Sequence, residues 1–508
     1  MEKQNQEKIS TDKKQKMLFS FLLASFWVLF LWGFFERGID AFGLNAFLFL
    51  AAFTGLFLHK LHKRKGSFRK DFFWIIPLIL IIFSFLIYEN PFLKMISTVL
   101  VFPFFFAFFY NFSFLEDGNK KHWDSVFVST LLNRVFSFLV KLKESADLYL
   151  GYLFPAGKEK SFVIKRVVLG SALFLLVSLG VVVPLLSSAD ALFGEKILFI
   201  YEWLQDIVSP VLVYKFLFLG AMSLLILSAL LSWSRIFSVK ATEKKEEKKL
   251  DPIISGIFIG GTSLVYILFL WVQAGRLFVG SLPFEFKEVE SLVKSGFWQL
   301  LFLSILNILI YTMSYKKTND LVQKILFGFI ITSLLLLFSA GQRMILYVKY
   351  YGFSYEKLFA FYTVTFCAIL FFWLIFGFFS NKKENLLKFL AVLFLWMYSV
   401  MTVLPVEQFI FRTNVYLKNN VENSHIRLSE LRMLSSDVLS LAKRYREEGV
   451  LDEEITLPQG VKITPQNSAT KQNQYWDDWI KNRESQISQK VWYEKSISNF
   501  LNMRPILP

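Results

Sequence analysis

Long apolar runs alternate with short charged segments along the chain, starting with Met17–Phe35 and, after five residues, Ala41–Leu58. A bilayer's hydrocarbon core takes roughly 20 residues of helix. It offers the backbone no water, so a helix is the way each run satisfies its own peptide groups. About eleven runs meet that description, the others being Phe72–Tyr88, Phe92–Tyr110, Val167–Leu186, Pro210–Trp233, Pro252–Gln273, Phe297–Ser314, Ile325–Ala340, Leu358–Phe379 and Leu386–Leu404. The pattern predicts an all-α fold, a polytopic transmembrane bundle of about eleven spanning helices.

Between the runs the period changes. In the connector 113–166, Ser125, Ser129, Asn133, Ser137 and Lys141 recur every fourth position, while Phe127, Leu131, Val135 and Leu139 form another face. That is an amphipathic helix fit to lie among lipid headgroups, or to dock a cytoplasmic partner. Two further amphipathic pieces are expected at Ser187–Ser209 and Gly341–Lys357. Pro77 and Pro103 lie inside runs and predict kinks. Pro405 stops the last run and starts a tail of 104 residues, with a helical pair over Ser424–Glu448 broken at Ser435-Ser436 and ended by Gly449. Within Tyr475–Met503 the spacing of Trp476, Trp479, Ile480, Ile487, Val491 and Trp492 predicts a helix with a tryptophan face, resting on the membrane surface or on neighbouring loops. The organisation is thus a basic N-terminus (1–16), two hairpins (17–112), the connector (113–166), a seven-helix core (167–404) and the tail (405–508).

Charge fixes the expected threading. With the N-terminus in the cytoplasm, the cytoplasmic segments hold 32 Lys/Arg against 16 Asp/Glu, the outer loops 10 against 11 and the tail 14 against 13. The whole net charge of +16 therefore falls on one side, the positive-inside signature. It argues for anionic lipid as the counter-charge and against nucleic acid. The first sixteen residues carry five lysines ahead of an apolar stretch, but that stretch is too long for a signal peptide and no A-x-A site follows, so an uncleaved first helix is expected. The expected location is a cell membrane, amino terminus inside and carboxyl terminus outside.

Candidate chemistry is sparse. At 55% apolar residues and a mean hydropathy of +0.47 the chain is too apolar for a soluble protein. Its single cysteine, Cys367, permits no internal disulfide. His59 and His62 have a metal-compatible spacing, but Lys60, Lys63, Arg64 and Lys65 around them repel a cation, so no metal is expected. Gly256-x-x-x-Gly260 allows two helices to approach closely, and without a following Lys-Ser/Thr it is no phosphate loop. No cofactor motif is present. Ionisable residues avoid the centres of all the runs, which disfavours a proton- or ion-coupled transporter. Asn307 is the main deep polar group and reads as an interhelical hydrogen bond. On the outer side Asp190, Arg276 and Arg343 each follow a helix end. They are candidates for a mouth that binds a charged headgroup or sugar-phosphate. Glu195, Glu202 and Asp206 share one helical face and could add acid/base groups; ordinary interfacial charge is the competing account.

Leu185-Leu-Ser-Ser-Ala-Asp190, Gly341-Gln-Arg-Met-Ile-Leu-Tyr-Val-Lys-Tyr-Tyr-Gly352 and the tail stretch Asn414–Lys443 resemble a bacterial membrane family catalogued as domain of unknown function 4173, with a relative numbered 4153. The likeness covers roughly residues 165–445. It implies the architecture and a bacterial cytoplasmic membrane, and it raises Asp190, Arg343, Tyr347 and Gly352 as site candidates. It carries no catalytic role. The expectation is a membrane protein acting non-enzymatically in envelope sensing, scaffolding or lipid handling. A group-transferring enzyme on the outer face, using Asp190 or Glu195 as base and Arg343 on phosphate, is the alternative, and a passive transporter the third.

Overall fold

A computed structural model describes residues 2–65, 72–113, 125–153, 209–233, 250–277, 286–380, 386–422, 424–451 and 465–502, with isolated positions between 167 and 196. Every regular element among them is helical. The chain forms two compact units. One is Met1–Phe85, Val99–Val239 and Trp492–Glu494; the other is Leu86–Thr98, Lys240–Val491 and Lys495–Pro508. Seven helices are long and apolar enough to cross a membrane, or eight if the sharply bent pair Gly33–Ala41 and Leu44–His59 is one span. Two shorter apolar helices, Phe73–Ile87 and Pro91–Phe106, accompany them. This is a membrane protein.

In the first unit α1 (Glu2–Phe26) runs through a π-turn at Trp27–Leu31 into the bend, and α2 (Leu44–Lys65) leads away. Asn45 fixes the bend: its carbonyl accepts from the N–H of Gly43 and Ala46, and its amide donates to Phe30 O and Ala41 O, all at 2.8 Å. Arg37, in the same turn, donates to Glu494 at 2.6 Å. The proline-containing α3 (Phe72–Ile87) and α4 (Pro91–Ser113) follow, then α5 (Ser125–Leu153) and α6 (Pro210–Trp233).

The amphipathic connector becomes α5, and the C-terminal part of its polar stripe, Ser137 and Lys141, meets protein, while Asn133 is exposed. Ser137 bonds Ser232 of α6 at 2.5 Å, Ser228 donates to Phe138 O, and Tyr149 bonds Ser20 of α1 at 2.7 Å. Lys141 and Lys13 both hold Glu144, at 2.7 and 3.1 Å, and keep its carboxyl below the usual range. Phe136, Leu139 and Val140 point outward.

The second unit is built on α7 (Pro252–Leu277), α8 (Phe286–Ser314), α9 (Asp320–Tyr351), α10 (Tyr355–Ser380) and α11 (Leu386–Val403). Asp251 starts α7 by accepting from the N–H of Ile253 and Ile254, and Asn319 starts α9 by accepting from Val322 N–H. The expected close approach occurs between α7 and α9: a Cβ on Gly256 would lie 3.3 Å from Val322, and one on Gly260 3.7 Å from Ile325. Asn307 is buried and accepts from Tyr266 OH at 2.8 Å, an interhelical bond as expected. Around them lies one apolar core that includes Phe297, Phe329, Leu337 and Phe371.

Two boundaries differ from the sequence expectation. The helix expected over 325–340 and the separate piece expected at 341–357 are one continuous α9 as far as Tyr351, with 355–357 already in α10, and α8 starts at Phe286 rather than Phe297. Gly341 does not break α9, because its missing Cβ serves packing: a methyl there would rest 3.4 Å from Val364 of α10. The stop is Gly352, at φ +74°.

The tail folds back on the second unit. It comprises α12 (Val406–Asn420), short 3-10 turns at Leu428–Met433 and Ser436–Val438, α13 (Leu439–Glu447), α14 (Pro465–Gln489) and α15 (Ile497–Asn502). The break at Ser435-Ser436 and the stop at Gly449, φ +71°, fall where expected. The helix expected over Tyr475–Met503 ends at Gln489, with Trp492 in a separate 3-10 turn and exposed, but the first tryptophans dock on protein: Trp476 is buried against Phe411, and Trp479 Nε1 donates to Arg432 O at 2.8 Å.

Candidate functional site

The corner between α9 and α10 is held by the buried face of α12. Gly352 N–H donates to Val348 O at 2.9 Å and ends α9. A Cβ on it would sit 2.5 Å from Asn414 Oδ1, so glycine is required for space as well as for φ. Asn414 pairs with the backbone of Phe353 in both directions, accepting from its N–H at 2.5 Å and donating to its carbonyl at 2.8 Å. Lys357 is buried and donates to the carbonyls of Tyr351 and Gly352, at 3.0 and 2.5 Å. Those are the open carbonyls at the negative end of α9. The same ammonium lies 4.4 Å from the centre of the Tyr347 ring, a cation–π contact.

Seven residues back along α12, about 10 Å away on the same face, Glu407 enters a second knot. Its Oε1 accepts from Tyr355 OH and from Ser435 N–H at 3.1 Å; its Oε2 accepts from Ser435 N–H at 3.0 Å and from the Ser435 hydroxyl. The Ser435 oxygen in turn accepts from Asp437 N–H at 3.2 Å. Asp437 lies at the start of α4, where its carboxylate accepts from Glu89 N–H at 2.8 and 3.0 Å and from Asn90 N–H at 2.9 Å. It thus occupies a helix N-terminus, where the macrodipole favours an anion. Asn90 is the local cap, accepting from Leu93 N–H at 3.0 Å. Glu89 gathers both nearby cations, Lys94 at 3.4 Å and Lys490 in direct contact. Behind them Asn499 and Asn502 donate to the hydroxyl and carbonyl of Ser436, at 3.1 and 2.7 Å.

Six carboxylate oxygens from Glu89, Glu407 and Asp437 are therefore buried and all six are engaged. The charge does not balance, since two lysines face three acids and both lysines bond Glu89. Burial, reinforced by the charge on Asp437, pushes the Glu407 carboxyl well above the usual range. Burial also raises Asp437, against its bonds to Ser498, Asn90 and Ser435 and the charge of Lys94. One retained proton on this pair makes the knot neutral, the expected outcome for buried like charges.

The residues singled out in the sequence fare unevenly. Asp190, Glu195, Glu202 and Asp206 lie outside the described residues. Arg276 is in the last turn of α7, its side chain likewise outside them. Arg343 is half-buried on α9, one turn before Tyr347, and Tyr347 and Gly352 meet at Lys357. The knot of Glu89, Lys94, Tyr355, Glu407, Asp437 and Lys490 was not anticipated. Its available signals were Lys94 inside an apolar run and Glu407 among Val406, Ile410 and Phe411 on the apolar face of a short helix.

No curated protein and no solved structure matches the chain. The matching family model is the one numbered 4153 rather than 4173. Described as Domain of unknown function (DUF4153), it covers residues 75–444, which include Glu89, Lys94, Tyr355, Glu407 and Asp437. That span is well over half of the sequence, and the chain belongs to this family.

Proposed function

We propose that the protein is a non-enzymatic scaffold of a bacterial cell membrane, whose tail is a folded cap clasped onto the end of its helical bundle. The observation that carries this reading is the buried knot: five segments, 89 to 498 in sequence, meet through carboxylates with no oxygen left over for a substrate. The group-transferring enzyme weighed against it would need a carboxylate that solvent and substrate reach. The threading proposed with it has the N-terminus in the cytoplasm, eleven crossings and the tail outside. The seven candidate spans and the bent pair support it; the two shorter apolar helices and the sequence run Val167–Leu186, which lies almost wholly outside the described residues, are counted as the remaining crossings. Bound lipid is the natural ligand on this reading, and the connector around α5 remains a place for a cytoplasmic partner.

Complementation of a deletion strain tests it. Lys490→Gln and Asp437→Asn should lose the envelope phenotype's rescue, while Asp190→Asn and Arg343→Gln retain it, with membrane levels matched. The reverse ranking would support the group-transferring enzyme built on Asp190 and Arg343 and overturn the scaffold.

A further inference from the structure

We infer that α15 is a lipid-facing anchor that seats the cap in the headgroup layer at the start of α4. The helix is amphipathic the wrong way round for water. At about 3.6 residues per turn, Ser498, Asn499 and Asn502 share one arc of roughly 100° and Ile497, Phe500 and Leu501 the opposite one. The polar arc is buried and tied down: Asn499 and Asn502 bond Ser436, and Ser498 bonds Asp437. The apolar arc is outside, with Ile497 40%, Phe500 49% and Leu501 56% exposed. A six-residue helix that hides asparagine and presents phenylalanine and leucine is stable where its surroundings are apolar.

What covers this face follows from its position. Ser498 bonds the same carboxylate that accepts from Glu89 and Asn90 N–H, so α15 sits at the first turn of α4. Phe92 and Met95 of that turn are themselves 39% and 49% exposed, on a predominantly apolar helix whose Lys94 is buried on the opposite, protein-facing side. The two outward faces belong to the same end of the unit, where α4 enters hydrocarbon. The occupant is the acyl region just beneath the headgroups. This inference rests on the membrane location alone and stands or falls independently of the scaffold reading.

The test uses the full chain with Cys367→Ala, reconstituted in phosphatidylethanolamine/phosphatidylglycerol vesicles. Nitroxide labels are placed singly through Phe500→Cys, Leu501→Cys and, as a water-facing control, Lys481→Cys. At 500 and 501 collisions with oxygen should exceed those with a water-soluble nickel chelate severalfold, and at 481 the order should reverse. In the unsubstituted protein a diazirine on a lipid acyl chain should label the peptide spanning 497–501. Nickel accessibility at 500 and 501 equal to that at 481 overturns the inference. Exclusion of both reagents overturns it too, since that would mean another protein covers the face.

Discussion

Gly352 and Glu407 show how single residues set the corner that the cap grips. Gly352→Ala must place a side chain at φ +74° and 2.5 Å from Asn414 Oδ1. Backbone strain of that kind costs about 1–3 kcal/mol before the clash is counted. Thermal unfolding in detergent should fall accordingly, while Gly341→Ala, with Val364 at 3.4 Å, should fall far less. Glu407 governs a pH dependence. An ordinary glutamate releases its proton near pH 4.5, whereas burial makes folded Glu407 hold it toward neutrality. Across that window the folded chain binds a proton that the unfolded chain has lost. Its stabilising contribution is complete below the lower value and declines as pH rises through the window, by at most about 1.4 kcal/mol per pH unit for one proton. Glu407→Gln mimics the protonated form, so its stability should be flatter with pH and should match or exceed the parent on the alkaline side. A steeper profile in Glu407→Gln would contradict the shared proton.

At the scale of elements, α14 makes the cap a folded object rather than a surface strip. Trp476 is buried against Phe411, and Arg446 and Lys443 hold Asp477 and Glu484 across to α13, at 3.1 and 2.5 Å. Trp476→Ala removes a large core side chain, a loss of about 3–5 kcal/mol. Hydrogen exchange over 476–489 should quicken by orders of magnitude, with α9 and α10 unchanged. Much of this architecture was legible in advance, because lipid makes span, charge and turn signals unusually explicit. Pro405, the Ser435-Ser436 break, Gly449, the Gly256/Gly260 approach and the Asn307 bond all read correctly from local chemistry. The two faces of α5 were legible, but periodicity does not say which one meets protein, and only the fold shows Ser137 bonding Ser232. Gly341 misled for a related reason: a helix glycine that admits a neighbour looks in sequence like one that ends the helix. The knot was illegible because its members lie up to 401 residues apart, and only the fold brings Lys490 to Glu89.

For the whole molecule, the threading and the clasp are separate claims. In a Cys367→Ala background, single cysteines at Lys63 and Lys245 should resist an impermeant thiol reagent in intact cells, and one at Asn473 should react. Labelling at 63 or 245, or protection at 473, would reverse the threading inferred from the charge bias. The clasp is tested most directly by a double-mutant cycle on Glu89 and Lys490, read from the stability of the intact protein in lipid. Removing one member of a buried ion pair costs up to about 3–5 kcal/mol, most for Glu89, whose loss strands both lysines, and less for Lys490, because Lys94 still faces Glu89. Glu89→Gln should therefore be strongly destabilising and Lys490→Gln less so, and the double variant should lose at least about 1 kcal/mol less than their sum. Losses that simply add, to within about 0.5 kcal/mol, would mean that the tail is not held at this knot.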